Sequence, residues 1–268
     1  MSSEAPDSFT GIALASKDGV GTLELCRPEV LNRFDEVLHS EFPRALGVFS
    51  ADESIRVALL KSTGKVFSAG GSTDIMKDAM SSLPRRLELI DHGRALFRAI
   101  CDFPKPLVVA LEGDTYGLGA TVALMGDALV THPNVKIADT HILMGITAGD
   151  GGVVAWPASV GLMVAKRHLL TGEALSGERA YQLGAVSDLV AERGAVLGRA
   201  TEIAAKIASL PPMAVQLTKR AFNKLQSSRI EEAFDLGFYL EAMSFGTEDV
   251  REAVNAFLEK RPGVWTGR

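Results

Sequence analysis

Leu107-Val-Val-Ala-Leu-Glu-Gly-Asp-Thr-Tyr-Gly-Leu-Gly-Ala-Thr-Val-Ala-Leu124 predicts a short apolar strand, a turn containing glycine and a helix that starts directly after it. The first N–H groups of a helix have no partner within the helix, and the helix dipole adds partial positive charge there. The turn is therefore a candidate site for an oxyanion. A second stretch, Gly64-Lys-Val-Phe-Ser-Ala-Gly-Gly-Ser-Thr-Asp74, repeats the strand-then-glycine pattern and can supply a second N–H group.

The composition is that of a globular protein with ample material for a core. Of the 268 residues, 47% are hydrophobic, and the net charge is −5. No dense run of Lys and Arg is present, which argues against a nucleic-acid partner. No apolar run approaches the roughly 18 residues of a membrane span, and the N-terminus lacks the pattern of a signal peptide. We therefore expect a cytoplasmic protein without a membrane partner.

Cysteines and histidines give no sign of a metal site. Cys26 and Cys101 match no metal-ligand or redox spacing and are expected to be buried thiols. Four histidines fit surface or packing roles, and no metal-ligand spacing connects them: His39, His92, His132 and His168.

Strands that alternate with helices predict an α/β core, followed by a helical tail. We expect a disordered N-terminus at residues 1–8, a core domain at 9–210 and a helical oligomerisation region at 211–268, with Pro211-Pro212 at the boundary. The tail is expected to contain three helices, near 213–226, 230–244 and 247–260. Their apolar faces require packing against the core or another subunit.

Six short motifs together carry a resemblance to a known family. They are Arg27-Pro-Glu-Val-Leu-Asn32, Gly64-Lys-Val-Phe-Ser-Ala-Gly-Gly71, Gly113-Asp-Thr-Tyr-Gly-Leu-Gly119, Leu169-Leu-Thr-Gly172, Ala180-Tyr-Gln-Leu-Gly-Ala-Val186 and Phe257-Leu-Glu-Lys-Arg261. Each motif alone is weak, but their order and spacing resemble the crotonase superfamily, the enoyl-CoA hydratase/isomerase group. The resemblance covers about residues 10–261.

The resemblance implies an α/β fold built as a spiral of ββα turns, with a C-terminal helical region that forms trimers, often paired into hexamers. It implies an acyl-CoA thioester as substrate, with coenzyme A entering only as part of that substrate and no separate cofactor. The oxyanion N–H groups would belong to Gly71 and Leu118. Six residues would contact CoA, the last two from a neighbouring subunit and on one face of a helix: Arg27, Val30, Ser68, Ala69, Phe257 and Lys260.

Two positions depart from the family pattern and bear on the chemistry. Typical hydratases carry one glutamate on the helix after the glycine turn and another about twenty residues later, where this chain has Thr121 and His141. The segment after His141, Gly145-Ile-Thr-Ala-Gly-Asp-Gly-Gly152, brings Asp150 near the expected cleft. His141 and Asp150 are therefore the candidates for proton transfer or water activation.

Each candidate has a structural alternative. His141 has an ordinary pKa near 6.5, which suits proton transfer, but a lone histidine is more often structural. Asp150 can act as a base, orient His141, or cap a helix over residues 151–159. Thr121 can bond substrate or water, or can be a packing residue bonded to its own backbone. Asp139 is a secondary candidate with a solvent-facing or capping default.

The expected function is that of an enoyl-CoA hydratase or isomerase in fatty acid metabolism, in which two backbone N–H groups stabilise the oxyanion of a thioester. Thioester hydrolysis is the first alternative, because the same oxyanion hole serves a tetrahedral intermediate. A catalytically weak acyl-CoA-binding protein is the second. Met76, Leu143 and Met144 predict an apolar pocket but leave the acyl chain open.

Overall fold

The computed structural model describes residues 8–268, with the side chains of 226–233 left out of the description. The predicted disorder at residues 1–8 falls, for residues 1–7, outside the described part. The architecture is mixed α/β, as predicted, and its sheets are largely parallel. No helix in the described part is both long and apolar enough to cross a bilayer.

Two sheets form the core. Their strands are β1 Ile12–Lys17, β2 Val20–Leu25, β3 Val57–Ser62, β4 Val66–Ser68, β5 Leu107–Ala110, β6 Asp114–Tyr116, β7 Ala128–Thr131, β8 Lys136–Ala138, β9 Leu175–Ser176 and β10 Asp188–Leu189. One sheet has the order β1-β2-β3-β5-β7-β10, and the other has the order β4-β6-β8-β9. From β2 onward the larger sheet is parallel, and the turn at Lys17-Asp18-Gly19 joins the antiparallel pair β1 and β2.

Helices cover the larger sheet on both faces. The α-helices of the described part are α1 Glu36–Ala51, α2 Thr73–Ser81, α3 Leu83–Asp102, α4 Gly117–Leu124, α5 Gly152–Val160, α6 Leu162–Thr171, α7 Gly177–Gln182, α8 Arg193–Ala208, α9 Pro212–Ser244 and α10 Glu248–Glu259. Strand β3 shows the arrangement: Ala58 and Leu60 enter the main core, whereas Val57 and Leu59 pack against α8. Burial on both faces explains why β3 and β5 are almost continuously apolar.

The tail differs from the prediction in two ways. Residues 227–229 were expected to separate two helices, but they continue one helix, α9. They contain neither Gly nor Pro, the residues that would end it. Lys260 was expected to share a helix face with Phe257, but α10 ends at Glu259, and Lys260 lies beyond it in a left-handed conformation with φ of 54°. Pro262 follows two residues later, which is typical of the end of a helix.

Candidate active site

One cavity lies where the two glycine turns meet the C-terminal helices. Its volume is about 220 Å³. The turns contribute Gly71, Tyr116, Gly117 and Leu118 to its wall. Its other walls come mainly from α1, α2, α3, the segment after β8 and the two last helices: Phe34, His39, Met76, Ile90, His141, Met144, Asp150, Phe238, Glu241, Phe245 and Phe257. Met76 and Met144 thus line the cavity as expected, whereas Leu143 is exposed and packs beside Gly172.

The two glycine turns are in direct contact. Gly70 and Gly117 have φ of 80° and 49°, which is strained for other residues. A Cβ on Gly70 would lie 2.5 Å from the Tyr116 carbonyl oxygen, so the backbones can meet only with glycine there. Leu118 lies in the first turn of α4, where its N–H has no partner within the helix. Both expected oxyanion residues, Gly71 and Leu118, therefore line one cavity beside touching turns.

Local hydrogen bonds hold the first turn in place. The N–H of Phe34 donates to the Gly70 carbonyl at 2.7 Å, so this bridge uses the carbonyl of residue 70 rather than the N–H of Gly71. Ser68 Oγ donates to the Asn32 carbonyl and accepts the N–H of Gly70. This contact links the turn to the motif Arg27-Pro-Glu-Val-Leu-Asn32. Asn32, the last residue of the motif, has a left-handed conformation with φ of 49°.

His141 is buried between two carboxylates. Its Nδ1 lies 2.7 Å from Asp139 Oδ1, and its Nε2 lies 3.1 Å from Asp150 Oδ2. Burial by itself lowers the pKa of His141, but the charges of Asp139 and then Asp150 outweigh burial and raise this pKa well above its ordinary value. We infer that His141 is an imidazolium at neutral pH. A Cβ on Gly117 would lie 3.4 Å from His141 Cε1, so the ring lies against the oxyanion turn.

The structure decides between the alternatives for Asp150. The helix-capping hypothesis is wrong, because α5 begins at Gly152 after the left-handed Gly151 and has no side-chain cap. Asp150 instead turns one carboxylate oxygen towards His141, while its Oδ1 has no hydrogen-bond partner among the described residues. Asp150 therefore lines the cavity together with His141 and has one buried oxygen that is unpaired among the described residues.

Asp139 corrects the sequence analysis, which gave it a solvent-facing or capping default. It is fully buried, and its Oδ1 accepts hydrogen bonds from both the ring and the backbone N–H of His141. Its Oδ2 lies 2.6 Å from the position that a Cβ on Gly152 would take, at the N-terminus of α5. The spacing Asp139-Thr-His141 was the available signal.

Thr121 and His39 also differ from expectation. Thr121 is fully buried and is not part of the cavity wall, and its Oγ1 has no partner among the described residues. Neither the water-binding role nor the backbone-bonded alternative for Thr121 is therefore observed. His39 was assigned a surface or packing role, but it lines the cavity. Its Nδ1 lies 3.0 Å from the Asp35 carbonyl, and burial lowers its pKa, which favours a neutral ring.

The expected CoA contacts are spread around the first turn and the last helix. Ala69 and Phe257 line the cavity, and Phe257 does so within its own chain. Arg27 is ion-paired with Asp35 at 2.7 Å. Ser68 is fully buried, and its Oγ is engaged by Asn32 and Gly70 within the turn. Two further candidates, Val30 and Lys260, are partly or fully exposed.

Glu241 of α9 is a cavity residue that was not predicted from the sequence. Its carboxyl group is buried and lines the cavity, and its Oε2 has no partner among the described residues. A ring nitrogen of His141 and one carboxylate oxygen each of Asp150 and Glu241 all lie within 4.8 Å of one another. This spacing could hold a metal ion. No local motif marks Glu241, because it lies in a helix far from the other site residues in sequence.

A family model for enoyl-CoA hydratase/isomerase matches residues 15–268. The chain belongs to the enoyl-CoA hydratase/isomerase family. It is 30% identical to a short-chain-enoyl-CoA hydratase of Clostridium acetobutylicum, over 94% of this chain and 96% of the relative. It is also 30% identical to a 1,2-epoxyphenylacetyl-CoA isomerase of Escherichia coli, over 93% and 96%.

A solved structure gives the same result. The crystal structure of an enoyl-CoA hydratase/isomerase from Mycobacterium paratuberculosis superimposes with a TM-score of 0.87 and 30% identity, covering 93% of this chain and 99% of the other. The predicted crotonase fold is thereby confirmed. This member of the enoyl-CoA hydratase/isomerase family is an acyl-CoA-processing enzyme, and its chain has a threonine at position 121 and a histidine at position 141.

Proposed function

We propose that this enoyl-CoA hydratase/isomerase family member binds the thioester carbonyl oxygen between the N–H groups of Gly71 and Leu118 and transfers protons through Asp150 and His141. The observation that supports the proposal most is that all four residues line one cavity at two touching glycine turns. Each backbone donor aimed at the developing oxyanion contributes about 3 kcal/mol to its stabilisation.

Asp150 and His141 divide the work in this mechanism. An imidazolium between two carboxylates has no lone pair with which to accept a proton, so His141 positions Asp150 and stabilises its negative charge. Asp150 Oδ1, which has no partner among the described residues, is the base that takes a proton from water or from carbon. The thioester electrons move towards the oxyanion hole as the enolate forms.

The rest of the ligand would extend from the cavity along the first turn. Backbone groups near Ala69, the Arg27 guanidinium, Val30 and Phe257 are the contacts we propose for CoA. Lys260 and a neighbouring subunit in a trimer or hexamer would complete them. CoA enters as part of the substrate, and the reaction as proposed takes place in the cytoplasm without a resident cofactor.

A panel of saturated, enoyl and aromatic CoA thioesters, followed by mass spectrometry of the products, tests this proposal. We expect enoyl substrates to gain water or shift their double bond, and Asp150→Asn and His141→Ala to lose at least about 100-fold in kcat. His92→Ala is the matched control, since His92 is an exposed histidine outside the cavity. Full turnover by both cavity variants would refute the acid–base assignment.

Thioester hydrolysis is the second candidate, because Asp150 held by His141 can activate water for attack on the carbonyl in the same oxyanion hole. Release of free thiol from CoA identifies hydrolysis, whereas loss of enoyl absorbance without thiol identifies hydration. If CoA thioesters raise the melting temperature but no thioester is converted, the protein is an acyl-CoA-binding protein with weak or no catalysis.

A further inference from the structure

Glu241 is a buried carboxyl group for which the oxyanion hole and the Asp150–His141 pair give no explanation. It is 6% exposed and lines the same cavity. One oxygen interacts with the backbone N–H of Asp150, and the other, Oε2, has no partner among the described residues. A buried polar atom without a partner destabilises the fold, so its presence in the wall of a cavity points to a ligand that completes it.

Close packing of two glycines places Glu241 beside Asp150. A Cβ on Gly149 would lie 2.2 Å from the Gly237 carbonyl oxygen and 2.7 Å from Glu241 Cβ, so α9 can approach residues 145–151 only with glycine at this position. Ser244 Oγ accepts the backbone N–H of Thr147 at 3.3 Å and fixes the next turn of α9 to the same segment. These contacts between α9 and residues 145–151 fix the position of the Glu241 backbone relative to Asp150.

The surroundings favour a neutral carboxyl group at Glu241. Burial and then the charge of Asp150 raise the pKa of Glu241 well above its ordinary value, and the His141 charge opposes the rise only in part. Among the described residues, two other basic side chains line the cavity: His39, whose pKa burial lowers, and Arg86, whose Nε donates to the Ala79 carbonyl. One carboxyl that keeps its proton and one that loses it, at one site, is the pattern of an acid and base pair.

Because Glu241 and Asp150 line the same cavity wall as Gly71 and Leu118, we propose that Glu241 is the proton donor to the α-carbon of the thioester, and that Asp150 is the matching base. The assignment rests on the proposed hydratase-type function. In water addition, Asp150 takes a proton from water while the oxygen bonds to the β-carbon. The electron pair of the double bond moves into the enolate held by Gly71 and Leu118. The enolate then takes the proton of Glu241 at its α-carbon, and the proton on Asp150 returns to Glu241, within 4.8 Å, to close the cycle.

The decisive variant is Glu241→Gln, which keeps the size and hydrogen-bonding of the side chain but has no proton to give. We expect a roughly 100-fold to 10,000-fold loss of kcat with little change in KM. The variant should also stop the exchange of the α-proton of the 3-hydroxyacyl product with deuterium oxide. Asp235→Asn is the matched control, since Asp235 lies on the same helix, pairs with Arg94 and is half exposed.

A measurement without substrate tests the protonation state directly. The infrared difference spectrum, wild type minus Glu241→Gln, should contain the carbonyl band of a protonated carboxyl at neutral pH, and Asp235→Asn should leave that band unchanged. Absence of the band overturns the proposal. So does loss of activity on chelation that a divalent cation restores, because Glu241, Asp150 and His141 would then be metal ligands.

Failure of this assignment can be told apart from failure of the proposed function. If the wild type converts enoyl-CoA and Glu241→Gln converts it equally well, only the role of Glu241 is refuted. If the wild type converts no CoA thioester although the protonated carboxyl band is present, the proposed reaction is refuted. The role of Glu241 as proton donor to the α-carbon is then refuted with it, whereas its protonation is confirmed.

Discussion

Asp139 Oδ1 accepts a hydrogen bond from His141 Nδ1 at 2.7 Å and, in addition, one from the backbone N–H of the same residue at 3.1 Å. Since an ionised carboxylate can only accept, Nδ1 carries a proton, and Nε2 is the atom that faces Asp150. Asp139 thus fixes both the orientation of the ring and its charge from a fully buried position outside the cavity wall.

Replacement of Asp139 by Asn is expected to lower the pKa of His141, because the amide keeps a hydrogen-bond acceptor but removes the largest charge that favours the imidazolium. Nitrogen NMR of the histidine rings across pH measures the shift. His92, which is exposed on α3, serves as the reference ring in the same spectra. An unchanged titration of His141 would show that Asp139 does not set its charge.

Removal of the Leu118 N–H is expected to cost roughly 100-fold to 1,000-fold in kcat. Leu118→Pro does so without ending the helix, because the first turn tolerates proline. Leu118→Ala is the control, since it also shortens the side chain but keeps the N–H. Circular dichroism should show α-helical content unchanged in both. Equal kcat values for the two variants would argue against an oxyanion contact at this residue.

A side chain at Gly149 is expected to destabilise the protein by roughly 1–3 kcal/mol, because its Cβ would overlap the backbone of α9 at Gly237. Gly149→Ala should also displace Glu241 and reduce kcat. Gly198→Ala is the matched control, since nothing lies within 4 Å of its Cβ and it is inside α8. Urea unfolding should show the control to be as stable as the wild type or more so.

The stability gained from Glu241→Gln is expected to grow with pH. A raised pKa in the folded state means that the folded chain keeps a proton that the unfolded chain loses above its ordinary pKa of 4.5. The wild-type contribution is therefore fully present below 4.5 and declines until the pH passes the folded pKa. The difference in unfolding free energy, variant minus wild type, should rise by up to about 1.4 kcal/mol per pH unit in that window.

Urea unfolding at several pH values measures this difference. Glu202→Gln is the control, because Glu202 is an exposed partner of Arg199 outside the cavity. A flat difference for Glu241→Gln would mean that Glu241 is ionised in the folded protein at neutral pH.

Local patterns account for most of the fold prediction. The hairpin at Lys17-Asp18-Gly19, the apolar strands and the two glycine turns are recognisable because each depends on residues adjacent in sequence. The continuity of α9 was not recognised, because no residue pattern distinguished a break at 227–229 from a helix that packing extends. The helix-capping alternative for Asp150 likewise depended on tertiary contacts, since His141 rather than α5 engages its carboxylate.

The sequence by itself determined the family, the two turns that carry Gly71 and Leu118, and the absence of glutamate at 121 and 141, because these are properties of short motifs and their order. Only the tertiary structure decided which acids surround His141. Asp139 meets the ring from two residues away, whereas Glu241 reaches the site by packing over a long sequence separation. The protonation of a carboxyl depends on its burial and on charges nearby in space. Neither quantity is contained in the order of neighbouring residues.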